Sequence, residues 1–357
     1  MNSIDLKLLI LTCFLLFTIS TVRAQKDSSR SLKLSAYAEF YYSFDFSQPR
    51  QQEKAAFLYN YKRNQEVQAN LILTKASYSS KRMRANLGLM IGNYARFNLS
   101  SEPGLLRYIN EANIGYKLSR KYKLWVDAGI FPSHIGFESA IGSACPNLTR
   151  SMVAENSPYY ESGLNVNFTT ANEQLIVALW LLNGWQRIHI SRYTQRPSGG
   201  LQIVYKPNTR LTLNYSNFLG SARPDSLHRF RTYHNLYVLY QPYPKLGLTA
   251  GFDIGSETGG SLPNGIWFTP IAIVRYQFYT NLKMALRGEY YQDSKQIMLT
   301  APTAKGFEMT GLSVNVDYQA HKKLLLRIEG KWFHALESYF NSGANNYAIT
   351  GCAAFSL

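Results

Sequence analysis

The amino-acid sequence predicts an all-β chain: one closed, antiparallel transmembrane β-barrel of about sixteen strands, within a range of roughly 14–18. Three observations lead there. The chain has 357 residues, 46% hydrophobic and 14% aromatic but only 17% charged, where ordinary globular chains carry ~25% charged residues. Its mean hydropathy of -0.21 is nevertheless too low for a bundle of apolar helices. From residue 31 onward polar and apolar residues alternate with a period of two, the signature of strands with a different environment on each face. Finally, short and long connections alternate along the whole chain.

The first element is a leader. Lys7 precedes the apolar run from Leu8 to Ile19, and Val22 and Ala24 supply the small residues that a signal peptidase requires. Cleavage is expected before Gln25, making residues 1–24 a signal peptide and residues 25–357 the exported barrel. An uncleaved anchor is the rival reading, but the run falls short of the ~20 residues a spanning helix needs. The mature chain keeps 36 basic and 21 acidic residues, a net charge of +15.

The predicted strands cover 31–43, 66–78, 82–97, 108–118, 122–131, 162–170, 174–183, 199–206, 209–218, 230–240, 245–256, 267–279, 282–293, 307–319, 322–336 and 346–357. In the first, Leu32, Leu34, Ala36, Ala38 and Phe40 share one face, with Lys33, Glu39 and three polar or aromatic residues on the other. In the second, Val67, Ala69, Leu71 and Leu73 form the apolar parity against Gln68, Asn70 and Ile72. Segment 174–183 is apolar on both faces, so its orientation is open. In the last, Tyr347, Ile349, Gly351, Ala353 and Phe355 align.

Seven connections are tight turns rich in Pro, Asn and Ser, such as Pro207-Asn208 and Thr280-Asn281, as turn chemistry favours. Eight are long: 44–65, 98–107, 132–161, 184–198, 219–229, 257–266, 294–306 and 337–345. Such two-ended asymmetry fits an outer-membrane barrel with short periplasmic turns and long outer loops. Soluble barrels typically close with about eight strands, and no linker divides this chain into two. A propeller would repeat every ~40–50 residues, and no such repeat is visible. Because backbone groups in lipid must all be paired, strand sixteen is expected to pair with strand one.

Parity then assigns faces. A charge facing lipid at mid-depth costs ~2–4 kcal/mol, so the charged parity faces the lumen: Lys33, Glu39, Arg84, Glu111, Asp127, Lys206, Asp253, Arg275, Lys283, Arg287, Glu289, Asp317, Arg327, Glu329 and Lys331 among others. Tyr116, Tyr122, Tyr276, Tyr279, Tyr290, Tyr318 and Trp332 are expected in the interfacial girdles. Sixteen strands leave an aqueous channel.

The longest connection, 132–161, is the third outer loop. Around it lie Gly129, Phe131, Pro132, Gly136 and Glu138, then Asn147 and Arg150-Ser151, then Pro158 and Gly163. In these residues the chain resembles the Gram-negative outer-membrane family called putative β-barrel porin-2. The resemblance covers about a tenth of the chain and implies a channel-forming barrel without specifying a solute. In general porins the third loop folds into the lumen, and this loop is a candidate to do the same. Two readings stay open. Glu138, Arg150 and Glu155 would shape a constriction opposite Arg275, Arg287, Arg327 and Lys331, whose facing charges focus a field on a passing solute. Alternatively Glu138, Asn147 and Arg150 bond the loop to the barrel wall, since buried charges must pair.

Other chemistry is absent from the sequence. The six histidines lack zinc-type spacing, and His189-Ile190-Ser191 has no nucleophile motif around it. Neither a catalytic residue nor a cofactor is expected. A disulfide between Cys145 and Cys352 would require a deep excursion of the third loop. The basic residues are dispersed over turns, loops and lumen positions instead of forming a nucleic-acid-binding run. The expectation is therefore a passive channel for small hydrophilic solutes, leaning towards anions, set in outer-membrane lipid and lipopolysaccharide. Phe355, two residues from the C-terminus, offers an imperfect signal to the barrel-assembly machinery, and homotrimer formation is left open. The rival is a non-catalytic barrel component of a secretion or surface-attachment complex, although only residues 25–30 precede the first strand to act as a plug.

Overall fold

The computed structural model describes residues 31–302 and 305–357, so the leader expected over 1–24 lies outside the described residues. Alternating side chains produce sixteen strands. The first five are β1 (Ser31–Asp45), β2 (Gln68–Ser79), β3 (Met83–Ile91), β4 (Ile109–Lys117) and β5 (Lys123–Pro132). Next come β6 (Tyr160–Thr169), β7 (Leu175–Leu182), β8 (Ser198–Asn208), β9 (Leu211–Gly220), β10 (Phe230–Tyr243) and β11 (Leu246–Thr258). The last five are β12 (Gly265–Tyr279), β13 (Leu282–Asp293), β14 (Phe307–His321), β15 (Leu324–Ala335) and β16 (Asn345–Ser356). Each strand pairs antiparallel with its neighbour in sequence, and β1 closes the ring on β16 from Tyr37↔Ser356 to Asp45↔Ala348. We number the eight long connections L1 to L8 in chain order.

The two parities separate as lipid and lumen require. Leu286, Leu312, Val314, Ile328 and Ile349 are exposed on the outer wall, whereas Arg287, Ser313, Asn315, Glu329 and Thr350 beside them are buried. Tyr116, Tyr122, Tyr276, Tyr279 and Tyr318 are exposed on the outer wall. Val314 lies near the middle of β14. Val314→Arg is expected to cost ~2–4 kcal/mol, because the guanidinium would stand in hydrocarbon. Denaturant unfolding of the barrel in lipid vesicles measures it.

The structure corrects two expectations. Leu71 and Leu73 do not face lipid: a register shift in the β1–β2 pairing at Glu39/Phe40 turns both inward, opposite Glu39 and Tyr37. There they are almost fully buried beside Met90, Tyr61 and Leu148. The extra residue of a bulge reverses the faces beyond it, which a fixed period of two does not register. The third strand also ends at Ile91, short of the expected residue 97. At Gly92 the chain turns with φ of 116° into the short helix α1 (Asn93–Asn98). The open orientation of β7 is resolved as well. Leu179 and Leu181 face outward, while Ala178, Trp180 and Leu182 face inward.

Candidate channel constriction

L3 leaves β5 and returns to β6 through a pair of facing glycines, Gly129↔Gly163. Their φ values are +133° and +153°, and a Cβ on either would come within 2.1 Å of a backbone carbonyl of the adjoining strand. Only glycine fits such close strand approach at positive φ.

From this base the loop enters the lumen. His134 is its first anchor: Nδ1 lies 2.7 Å from Glu161 Oε2 and Nε2 lies 2.8 Å from the Asn217 carbonyl. The ring stacks on Trp180 at 5.1 Å between centroids. Two acceptors for two ring nitrogens fit the imidazolium form, in which both nitrogens donate. Burial opposes that charge, but the Glu161 carboxylate and the Asn217 carbonyl outweigh it and raise the pKa above its ordinary value. A raised folded-state pKa makes this anchor's contribution complete below the unfolded value of ~6.5 and removes it as pH rises through the folded value. Unfolding free energy should therefore decline on the alkaline side, and His134→Gln should flatten that decline in a series of denaturant titrations at increasing pH.

The loop then reaches β13–β15, which lie half-way round the sixteen-strand ring from β5 and β6. It thereby crosses the lumen. Arg327 donates from Nη1 to the Gly142 carbonyl at 2.7 Å and from Nη2 to the Cys145 and Pro146 carbonyls at 3.1 and 3.2 Å. Its Nε donates to Asp317 at 2.6 Å. Asn147 and the Leu148 amide bond Ser313 and Asn315, both at 3.1 Å. Arg287 donates to the Thr149 carbonyl at 2.7 Å and pairs with Glu329 at 3.0 Å, Glu289 at 3.4 Å and Glu138 at 3.7 Å. Lys331 bridges Glu289 and the Arg150 carbonyl, both at 3.0 Å. The Met152 amide donates to Glu289 at 2.5 Å.

Within the loop, Arg150 is fully buried and donates to the carbonyls of Ser139, Ala140 and Leu148 at 2.8, 3.1 and 2.8 Å. A side chain spanning three carbonyls fixes the fold of a segment that has little regular structure. Glu138 receives the Ser151 hydroxyl and amide. Ser151 in turn caps the one-turn helix α2 (Met152–Glu155) by accepting from the Ala154 amide. Every polar residue of the family-like motif thus has a partner inside L3 or on the wall.

Of the seven residues singled out in the sequence, Glu138, Arg150, Arg287, Arg327 and Lys331 meet in one network. Glu155 faces L1 instead, accepting from the Tyr59 amide at 2.9 Å and from Asn60. Burial raises its pKa, although those donors oppose the shift. Arg275 sits nearer the periplasmic end and pairs with Asp317 at 2.9 Å. Glu289, Glu329 and Asp317 complete the network as its acidic half. Their signal was available: Arg287-x-Glu289 and Arg327-x-Glu329-x-Lys331 place alternating charges on one lumen parity. Counting Asp317 and Glu138, four carboxylates pair with Arg287, Arg327 and Lys331, while the fourth cation, Arg150, gives its hydrogen bonds to loop carbonyls.

The inward course of L1 had no such signal. Phe57 packs against Phe307, Phe333 and Tyr339, and Tyr61 donates to Glu39 at 2.8 Å. Lys54 lies within 3.4 Å of Thr350, and burial lowers its pKa to about 8. His189 and Ser191 serve L4: the Ser191 hydroxyl bonds Thr194 at 2.8 Å and the His189 amide donates to Glu102. Cys145 and Cys352 are buried and free.

The model of the family described as "Putative beta-barrel porin-2, OmpL-like" matches residues 31–357. The chain belongs to this family. It is therefore an outer-membrane β-barrel porin, and the resemblance read around L3 extends over the whole barrel. No curated protein matches the chain. Among solved structures, the anion-selective porin from Comamonas acidovorans superposes with a TM-score of 0.64 at 9% identity, covering 92% of this chain and 100% of its own. The outer-membrane channel DcaP of Acinetobacter baumannii gives 0.63 at 10% identity, over 94% and 99% of the two chains. The trimer form of OmpT from Vibrio cholerae gives 0.60 at 8% identity, over 92% and 100%. At these identities the likeness is one of fold.

Proposed function

We propose that this porin passes small hydrophilic solutes by passive diffusion, with a preference for anions, and that L3 sets the cross-section of its path. The observation that carries the anion preference is the unequal exposure of charge in the periplasmic half of the lumen. The carboxylates Glu111, Asp127 and Asp317 are almost fully buried. Each is tied to a base: Lys75 at 2.5 Å, Arg84 at 2.5 Å and Arg275 at 2.9 Å respectively. By contrast Lys33 and Lys206, and Arg210 and Lys245 at the periplasmic turns, are exposed and Lys283 is half-exposed, while the exposed turn carboxylate Glu173 is paired with Lys123. Exposed charge of one sign between low-dielectric walls raises the local concentration of counter-ions. The network on L3 contributes little net charge, so its part is to hold the loop and with it the bore. On this reading Glu138, Arg150, Arg287, Arg327 and Lys331 shape the constriction by position, and the barrel needs no catalytic group.

The reversal potential across a planar bilayer under a potassium chloride gradient tests the selectivity. A potential of the sign given by chloride-dominated current supports it, and a cation-dominated potential refutes it. The proposal extends to assembly as a homotrimer, by analogy with OmpT of Vibrio cholerae, which has a trimer form. It also extends to contact of the basic outer loops with lipopolysaccharide and to insertion by the barrel-assembly machinery. Mass measurement of the unheated, detergent-solubilised protein decides between trimer and monomer.

A further inference from the structure

Beneath the point where L3 meets the wall, a cavity of about 400 Å³ opens in the periplasmic half of the lumen. Its sides come mainly from the inward parities of β9–β13 and the adjoining periplasmic turns, with outward-facing Tyr240 and Leu248 at its edge, and Pro146 from the L3 crossing forms part of its boundary. Four cationic side chains line it, Arg210, Lys245, Arg275 and Lys283, and no carboxylate does so among the described residues. Thr212 and Thr249 add hydroxyl groups. Arg275 gives one Nη to Asp317 at 2.9 Å, and its buried Nε–H finds no acceptor among the described residues.

We infer that this cavity is a binding subsite for a multiply charged oxyanion of the phosphate class. The inference rests on the anion-conducting reading above and deepens it, from a diffuse preference to a located station on the periplasmic side. Charge number favours a polyvalent ligand. Asp317 is shared between Arg275 and Arg327, so at least three of the four positive charges remain around a volume typical of small-molecule sites. A monovalent anion would leave most of them unanswered. Arginine and lysine offer only donors, and oxyanions offer only acceptors, so each contact is a charge-assisted hydrogen bond. The location also matters: the carbonyls at the L3 elbow are already taken by Arg327, which leaves the cations below the loop free to meet a solute.

Calorimetric titration of the folded, detergent-solubilised barrel with inorganic pyrophosphate, and separately with acetate, tests the subsite without requiring conduction. A silent bilayer would thus count against the channel reading alone. Pyrophosphate is expected to bind at least tenfold more tightly than acetate. The double substitution Arg210→Gln, Lys283→Gln should weaken pyrophosphate at least tenfold, with folding checked by heat-modifiable migration on a gel. Equal affinity for the two anions, or wild-type affinity in the folded double variant, would overturn the inference. Should the double variant not fold, Lys245→Gln at its exposed turn gives a second reading of the same cluster. It is expected to weaken pyrophosphate about threefold, and no change there would also overturn the site.

Discussion

Arg287→Gln is expected to lower the unfolding free energy of the barrel by about 3–5 kcal/mol, the cost of removing one member of a buried ionic network. The guanidinium faces Glu138, Glu289 and Glu329 together and also holds the Thr149 carbonyl. Glutamine can replace one hydrogen bond, but it leaves three buried carboxylates to Lys331 and backbone amides. Two consequences should appear in the same variant. Unfolding in denaturant should shift to lower concentration, and L3, released at Thr149, should admit larger current fluctuations. If stability changed by less than about 1 kcal/mol, the network would be solvated in a way that the buried side chains contradict.

Neutralising the loop's own charges, with Glu138→Gln and Arg150→Met, is expected to have the largest effect on conduction. Arg150 satisfies three carbonyls, of which only that of Ser139 has a second donor, the weak Cys145 thiol, among the hydrogen bonds of the described residues. Each buried carbonyl left unpaired costs ~1–3 kcal/mol, which a loop relieves by moving towards water. Glu138 fixes Ser151 and the start of α2. Without both, L3 should leave its packed course, and single-channel conductance should rise with a change in ion selectivity. Unchanged single-channel records would exclude L3 as the constricting element.

Much of this barrel was legible in the sequence because bilayer physics writes a simple pattern. All sixteen strands, the alternation of tight and long connections and the closure of β1 on β16 follow from period-two alternation and from backbone pairing in lipid. The misassigned pair, Leu71 and Leu73, falls where the lumen stops being water. Leu71, Leu73, Met90, Phe218, Trp267 and Phe333 all point inward and are buried. They pack against L1, L3 or L4, so their wall is apolar on both faces, and the parity rule loses its contrast. Segment 174–183 carried that warning: its inner face is apolar because Trp180 stacks on His134 of L3. The site divides in the same way. Six of the seven charged candidates were visible from parity or from the motif, Glu155 was chosen only as a charge of the third loop, and five of the seven meet. Which carboxylate answers which base depends on register across β13, β14 and β15, as in Asp317↔Arg327 and Asn315↔Glu329. Glu155 turned towards L1 because Tyr59 and Asn60 offer it amides, a contact between two loops that no periodicity encodes.

A porin must form an open pathway through the outer membrane, and single-channel recording after reconstitution of the purified, heat-modifiable barrel into a planar bilayer tests that most directly. Stable, discrete steps of conductance are predicted, small because L1 and L3 fold inward. A silent membrane containing well-folded protein would contradict an open pathway.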